Sequence, residues 1–122
     1  MKFLFYIFSI SVAISCSSRN ATDILSFKQG TFKTYLKDSK DSSTFVRTKN
    51  LQIEHYKQKV DTFTVEWIHN FEYHLKKLHP NSKLDSIPFI VKITGIKENS
   101  YKFKGHYQGS NFKQEGTSHK LK

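Results

Sequence analysis

The sequence predicts an all-β domain: an antiparallel up-and-down meander of about seven or eight short strands, forming a small barrel or half-barrel. Three observations predict it. From Val60 to Lys77 the side chains of Phe63, Val65, Trp67, Phe71, Tyr73 and Leu75 alternate with polar ones, the period of an extended chain with one buried face. The apolar runs are separated by connections too short for a parallel crossover, which needs a dozen residues or more. No segment of useful length carries apolar residues at helical spacing.

Taken in order, Thr31 to Lys37 is a β-branched and aromatic run after Gly30, and 38–43 is a polar turn. Thr44 to Thr48 and Leu51 to Tyr56 flank Lys49-Asn50, a pair suited to a tight hairpin because Asn tolerates a positive φ. The Val60 to Lys77 stretch folds back on itself at His69-Asn70. Leu78 to Ile87 is the longest irregular connection; both prolines, Pro80 and Pro88, lie outside the strand patterns, as their missing N–H demands. Phe89 to Thr94 reads as a central strand and Tyr101 to Tyr107 as an alternating one, with a last strand expected at Phe112 to Gly116. Ile24 to Phe27 is compatible with a helical turn or with the lead into the first strand.

The first residues have another origin. Met1-Lys2 is a basic start, and Phe3 to Ile14 is apolar except at Ser9 and Ser11, too short for a permanent membrane span. This is a secretory signal pattern. Ala13-Ile14-Ser15-Cys16 resembles the lipobox of bacterial lipoproteins, with Ala13 where Leu is commoner. That resemblance implies a diacylglyceryl thioether on Cys16, cleavage before it and acylation of the new amino group, so that two or three acyl chains hold the protein firmly. Cys16 is the only cysteine, so the mature chain has no internal disulfide, and lipidation would cap a thiol otherwise left free after export. The expected organisation is a signal peptide over 1–15, a lipidated Cys and tether over 16–26, and one β-domain over 27–122. The expected location is the bacterial cell envelope, facing the periplasm.

The chain has 20 basic and 10 acidic side chains, a formal net charge of +10, so anionic partners are electrostatically favoured. All but Arg19 and Arg47 of those bases are Lys, a composition poorly suited to the bidentate readout of nucleic acid. Lys102 and Lys104 alternate with Tyr101, Phe103 and Tyr107, which places lysines in water and rings in the core. With Lys92 and Lys113 on adjoining strands they define a candidate basic face for anionic lipid headgroups or an acidic protein.

Chemistry finds little support. His69 and His74 stand an odd number of residues apart and so on opposite faces of a strand, and no metal ligand set is expected. Glu54, Glu66 and Glu72 are read as wet-face partners for lysines. No Gly-x-Ser-x-Gly elbow, phosphate-cradling loop or Ser-x-x-Lys set occurs, so neither catalysis nor a cofactor is expected.

The body of the chain resembles small exported lipoproteins of unknown function, through Lys28-Gln29-Gly30-Thr31-Phe32, Gln52-Ile53-Glu54, Trp67 and Glu72-Tyr73. The likeness spans about Phe27 to Leu121; Phe71 stands where that pattern often has Cys, so no thiol role carries over. The Gly30-Thr31-Phe32 start also looks like that of a shortened lipocalin-type barrel, which implies shape and no reaction. The expected function is a non-catalytic binding or structural module. An apolar or amphipathic ligand would lie between the aromatic face and the Leu78 to Ile87 loop; the alternative is docking of the basic face on an anionic partner.

Overall fold

A computed structural model describes residues 24–122 of the chain. The signal at 1–15, Cys16 and the tether up to residue 23 lie outside the described residues. Eight strands follow one another: β1 (Gly30–Leu36), β2 (Ser42–Arg47), β3 (Leu51–Tyr56), β4 (Lys59–His69), β5 (Glu72–Lys77), β6 (Phe89–Lys97), β7 (Ser100–Tyr107) and β8 (Gln114–Lys120). Each pairs antiparallel with its neighbour in sequence, and β1 pairs with β8, so the sheet closes into an up-and-down barrel. Closure removes both sheet edges, which would otherwise offer unpaired backbone groups to other chains. An eight-stranded barrel is just wide enough to be filled by side chains or to hold one small ligand.

Two features of the strand pattern bend the sheet shut. Register shifts between Trp67 and His69 in β4 and between Ile93 and Gly95 in β6 mark bulges, which increase local twist. Along the β1–β8 seam, Gly116 faces Leu36 and has no side chain to obstruct the approach: a Cβ there would lie 2.8 Å from the Tyr35 carbonyl oxygen and from the ring of Phe103.

The two ends of the barrel differ. One carries the connections at 48–50, 70–71 and 98–99 together with both ends of the described segment. There residues 24–26 form a helical turn that puts Ile24 and Phe27 into the barrel interior, 1 % and 0 % exposed. Ile24 and Phe27 both belong to the packed core. Phe27 meets the Tyr101 ring edge-on at 5.1 Å, and Phe32 stacks on Phe45 at 4.8 Å, so this end is plugged by aromatic packing. The other end carries the longer connections at 37–41, 57–58, 78–88 and 108–113, including a short 3-10 turn, Leu84–Ser86. Among the described residues no comparable plug fills it.

The strand bounds follow the expected runs closely up to β7, where Tyr101 and Phe103 are buried and Lys102 and Lys104 exposed. The last strand does not begin at Phe112, which is 74 % exposed in the preceding connection; β8 runs from Gln114 to Lys120. Its inward residues Gly116 and Ser118 are small because Phe103, Tyr101 and Leu36 already fill that space. Phe71, expected in the buried series, stands in the β4–β5 turn and is exposed.

Candidate functional site

Above the plug lies a buried cation. The Arg47 side chain is 1 % exposed and donates from Nη1 to the Phe27 carbonyl at 2.7 Å, from Nη2 to the Tyr101 hydroxyl at 3.1 Å and from Nε to Gln52 Oε1 at 3.0 Å. Its guanidinium lies 4.3 to 5.4 Å from the ring centres of Tyr73, Phe45, Phe32 and Trp67. Neutral acceptors and the negative faces of rings thus take the place of a carboxylate. Burial alone would lower its pKa; Tyr101 and then Tyr73 outweigh that and raise it, so the group stays charged. The Tyr73 and Tyr101 hydroxyls share a hydrogen bond at 2.9 Å, and burial first, then Tyr101, pushes Tyr73 well above the ordinary tyrosine range. Trp67 Nε1 is buried without a hydrogen-bond partner among the described residues.

The network forms the floor of a chamber of about 250 Å³ reached from the unplugged end. Phe45, Leu75, Phe89, Val91 and Phe103 give it apolar walls. Its polar groups are the Thr34 and Ser118 hydroxyls, paired at 2.8 Å, with Gln52, Glu54, Asp41 and Gln114. Space for the Phe89 ring comes from Gly105 on the facing strand, where a Cβ would stand 2.5 Å from it. Leu75 and Phe89 also line a second cavity of about 460 Å³, bounded by Phe63, Leu84, Ile87 and Tyr107 beneath the 3-10 turn. The place expected for a ligand, between aromatic residues and the 78–87 loop, is therefore hollow.

Glu54 differs from its expected placement. Leu51 and Ile53 suggest that the even-numbered residues of β3 face water, yet Gln52 pairs with Arg47 and Glu54 with Phe45, which turns Gln52, Glu54 and Tyr56 toward the chamber. Across β4 its neighbour is Asp61, not a lysine. Burial first and Asp61 second push the Glu54 carboxyl above the usual glutamate range. Because the fold favours the protonated form, this contribution to stability is complete below the ordinary glutamate value and is lost as pH rises through the raised one. Thermal melts should therefore show Glu54→Gln gaining on the wild-type protein as pH rises from about 4 to 8. A variant that loses ground over that interval contradicts the assignment.

The candidate basic face is only partly assembled. Lys92 and Lys104 are opposite one another on β6 and β7, and Lys102 lies on the same exposed side of β7. Lys113 is not on an adjoining strand; it belongs to the connection before β8. Carboxylates interrupt the row: Glu72 faces Lys92 across β5–β6, and Glu115 lies 3.4 Å from Lys104 and 3.3 Å from Lys37. These two lysines hold the Glu115 carboxyl below its ordinary range, Lys37 most strongly.

His69 and His74 do not diverge as their spacing suggests. The bulge before His69 resets the register, and both reach Glu72, His74 at 3.0 Å and His69 at 3.9 Å. Among the described residues no group of three metal-ligating side chains comes together. Glu66 is exposed on β4 opposite His74. The described residues thus define a class of protein by shape: an up-and-down eight-stranded barrel, plugged at one end and hollow at the other. In comparisons with family models, curated proteins and solved structures, nothing matches this chain.

Proposed function

We propose that this protein is a non-catalytic binding module that takes a small apolar or amphipathic ligand into the chamber above Tyr73. The observation that carries this reading is the chamber itself, a concave, apolar-walled space with a few convergent polar groups, the usual make-up of a small-molecule site. The second cavity, beneath the 3-10 turn, shares the walls Leu75 and Phe89 with it. Export and anchoring through a lipidated Cys16 in the bacterial cell envelope, facing the periplasm, belong to the same proposal and rest on the signal pattern alone. The chain enters the barrel at its plugged end, so a lipid there would tether the end remote from the mouth.

Docking of Lys92, Lys102, Lys104 and Lys113 on anionic lipid or an acidic protein gains less support. Glu72 and Glu115 neutralise part of that face, and like charges opposite one another repel. The binding reading is tested by calorimetric titration with octan-1-ol, a neutral chain of suitable girth. The wild-type protein should take up one equivalent. Val91→Trp, which replaces a wall residue that is 2 % exposed with one that fills the chamber, should weaken uptake about tenfold or more while keeping a cooperative melt. No uptake, or equal uptake by the folded variant, overturns the reading.

A further inference from the structure

The charged side chains that line the chamber are both acidic. Asp41 and Glu54 stand among its walls with no Lys, Arg or His, in a chain whose formal net charge is +10. Asp41 accepts a hydrogen bond from the Tyr56 hydroxyl at 2.9 Å. Glu54 has neither a hydrogen bond nor an ion pair among the described residues, and the residue across from it on β4 is Asp61. The lysine of the adjoining cavity, Lys77, is already 3.6 Å from Asp85. Arg47 is not among the lining residues: three of its five N–H donors go to Phe27, Gln52 and Tyr101, and the Tyr73 ring lies between it and the chamber.

We infer that the chamber takes a ligand with a cationic, ammonium-type head and a short apolar tail, and that Glu54 accepts the head. This deepens the proposed binding function and rests on it. An ammonium placed there gains a charge-assisted hydrogen bond from an otherwise unpaired carboxylate, and its tail meets the apolar walls of Phe45, Leu75, Phe89 and Val91. A carboxylate or phosphate head in the same space meets two acidic side chains and no lining cation, with Asp61 beyond. The raised pKa of Glu54 fits a site whose own charge is uncompensated until a cation arrives. The overall positive charge of the protein makes the outer surface a poor competitor for such a ligand.

The test compares three probes that share one tail: octylammonium, octan-1-ol and octanoate, titrated into the protein near pH 8 at low salt. Octylammonium should bind about tenfold tighter than the alcohol, with octanoate weakest. In Glu54→Gln, octylammonium should bind no tighter than octan-1-ol does to the same variant, and a cooperative thermal melt reports that the variant is folded. Octanoate binding as well as octylammonium, or an ammonium preference that survives Glu54→Gln, overturns the inference. If the alcohol binds and the ammonium binds no better, this inference fails and the binding function stands. If none of the three enters, both fail.

Discussion

Replacing Arg47 with Met should cost about 3–5 kcal/mol of stability, measured as the loss of unfolding free energy in a denaturant titration. Met is apolar and of similar length, so little volume is lost. What is lost is the donor to three groups held away from water: the Phe27 carbonyl and the Gln52 amide oxygen, which are left stranded, and the Tyr101 hydroxyl, which keeps its hydrogen bond to Tyr73. Each buried polar atom stranded this way costs about 1–3 kcal/mol, and the costs overlap because the three share one network. Arg47→Lys keeps the charge but replaces a planar fork with a single ammonium, so it should recover only part of the loss. An Arg47→Met protein as stable as wild type would show that the network is incidental. The expected loss, by contrast, separates this cation from the buried ion pairs that apolar residues can replace without penalty, since here the neutral acceptors remain behind.

Phe27→Ala should be nearly as damaging, at about 3–5 kcal/mol, although Phe27 lies outside every strand. Its ring is fully buried and closes the end of the barrel against Tyr101 at 5.1 Å and Phe32 at 6.3 Å. Truncation opens a cavity there and loosens the segment whose carbonyl holds Arg47. The measurement is the same denaturant titration. If the segment at 24–28 were a loose lead-in to β1, the cost would fall within the ±0.5 kcal/mol typical of surface changes.

The strands were legible wherever one face is packed and the other wet. Tyr101-Lys102-Phe103-Lys104 is an example: the rings go in, the lysines go out, and the period of two announces itself. The site was less legible because a hollow barrel does not keep that rule. In β3 the inward residues are Gln52, Glu54 and Tyr56 and the more apolar Leu51 and Ile53 face outward, since a chamber wall tolerates polar groups and a buried guanidinium demands one. Arg47 itself carried no mark in the sequence; its burial depends on four rings brought from β1, β2, β4 and β5. β8 was misplaced for a related reason. Its inward Gly116 and Ser118 give no hydrophobic signal because bulk on β7 and β1 already fills their space. The bulge at His69 could not be foreseen either, and it converts a divergent histidine pair into two neighbours of Glu72.

Chamber, floor and plug all depend on the closing of β1 against β8, and nuclear Overhauser contacts across that seam test it most directly. Backbone contacts are expected between Thr34 and Ser118 and between Lys33 and His119, together with slow amide exchange along β8. A spectrum that keeps the seven sequential hairpin pairings but lacks these contacts describes an open sheet with no enclosed space, and contradicts the account.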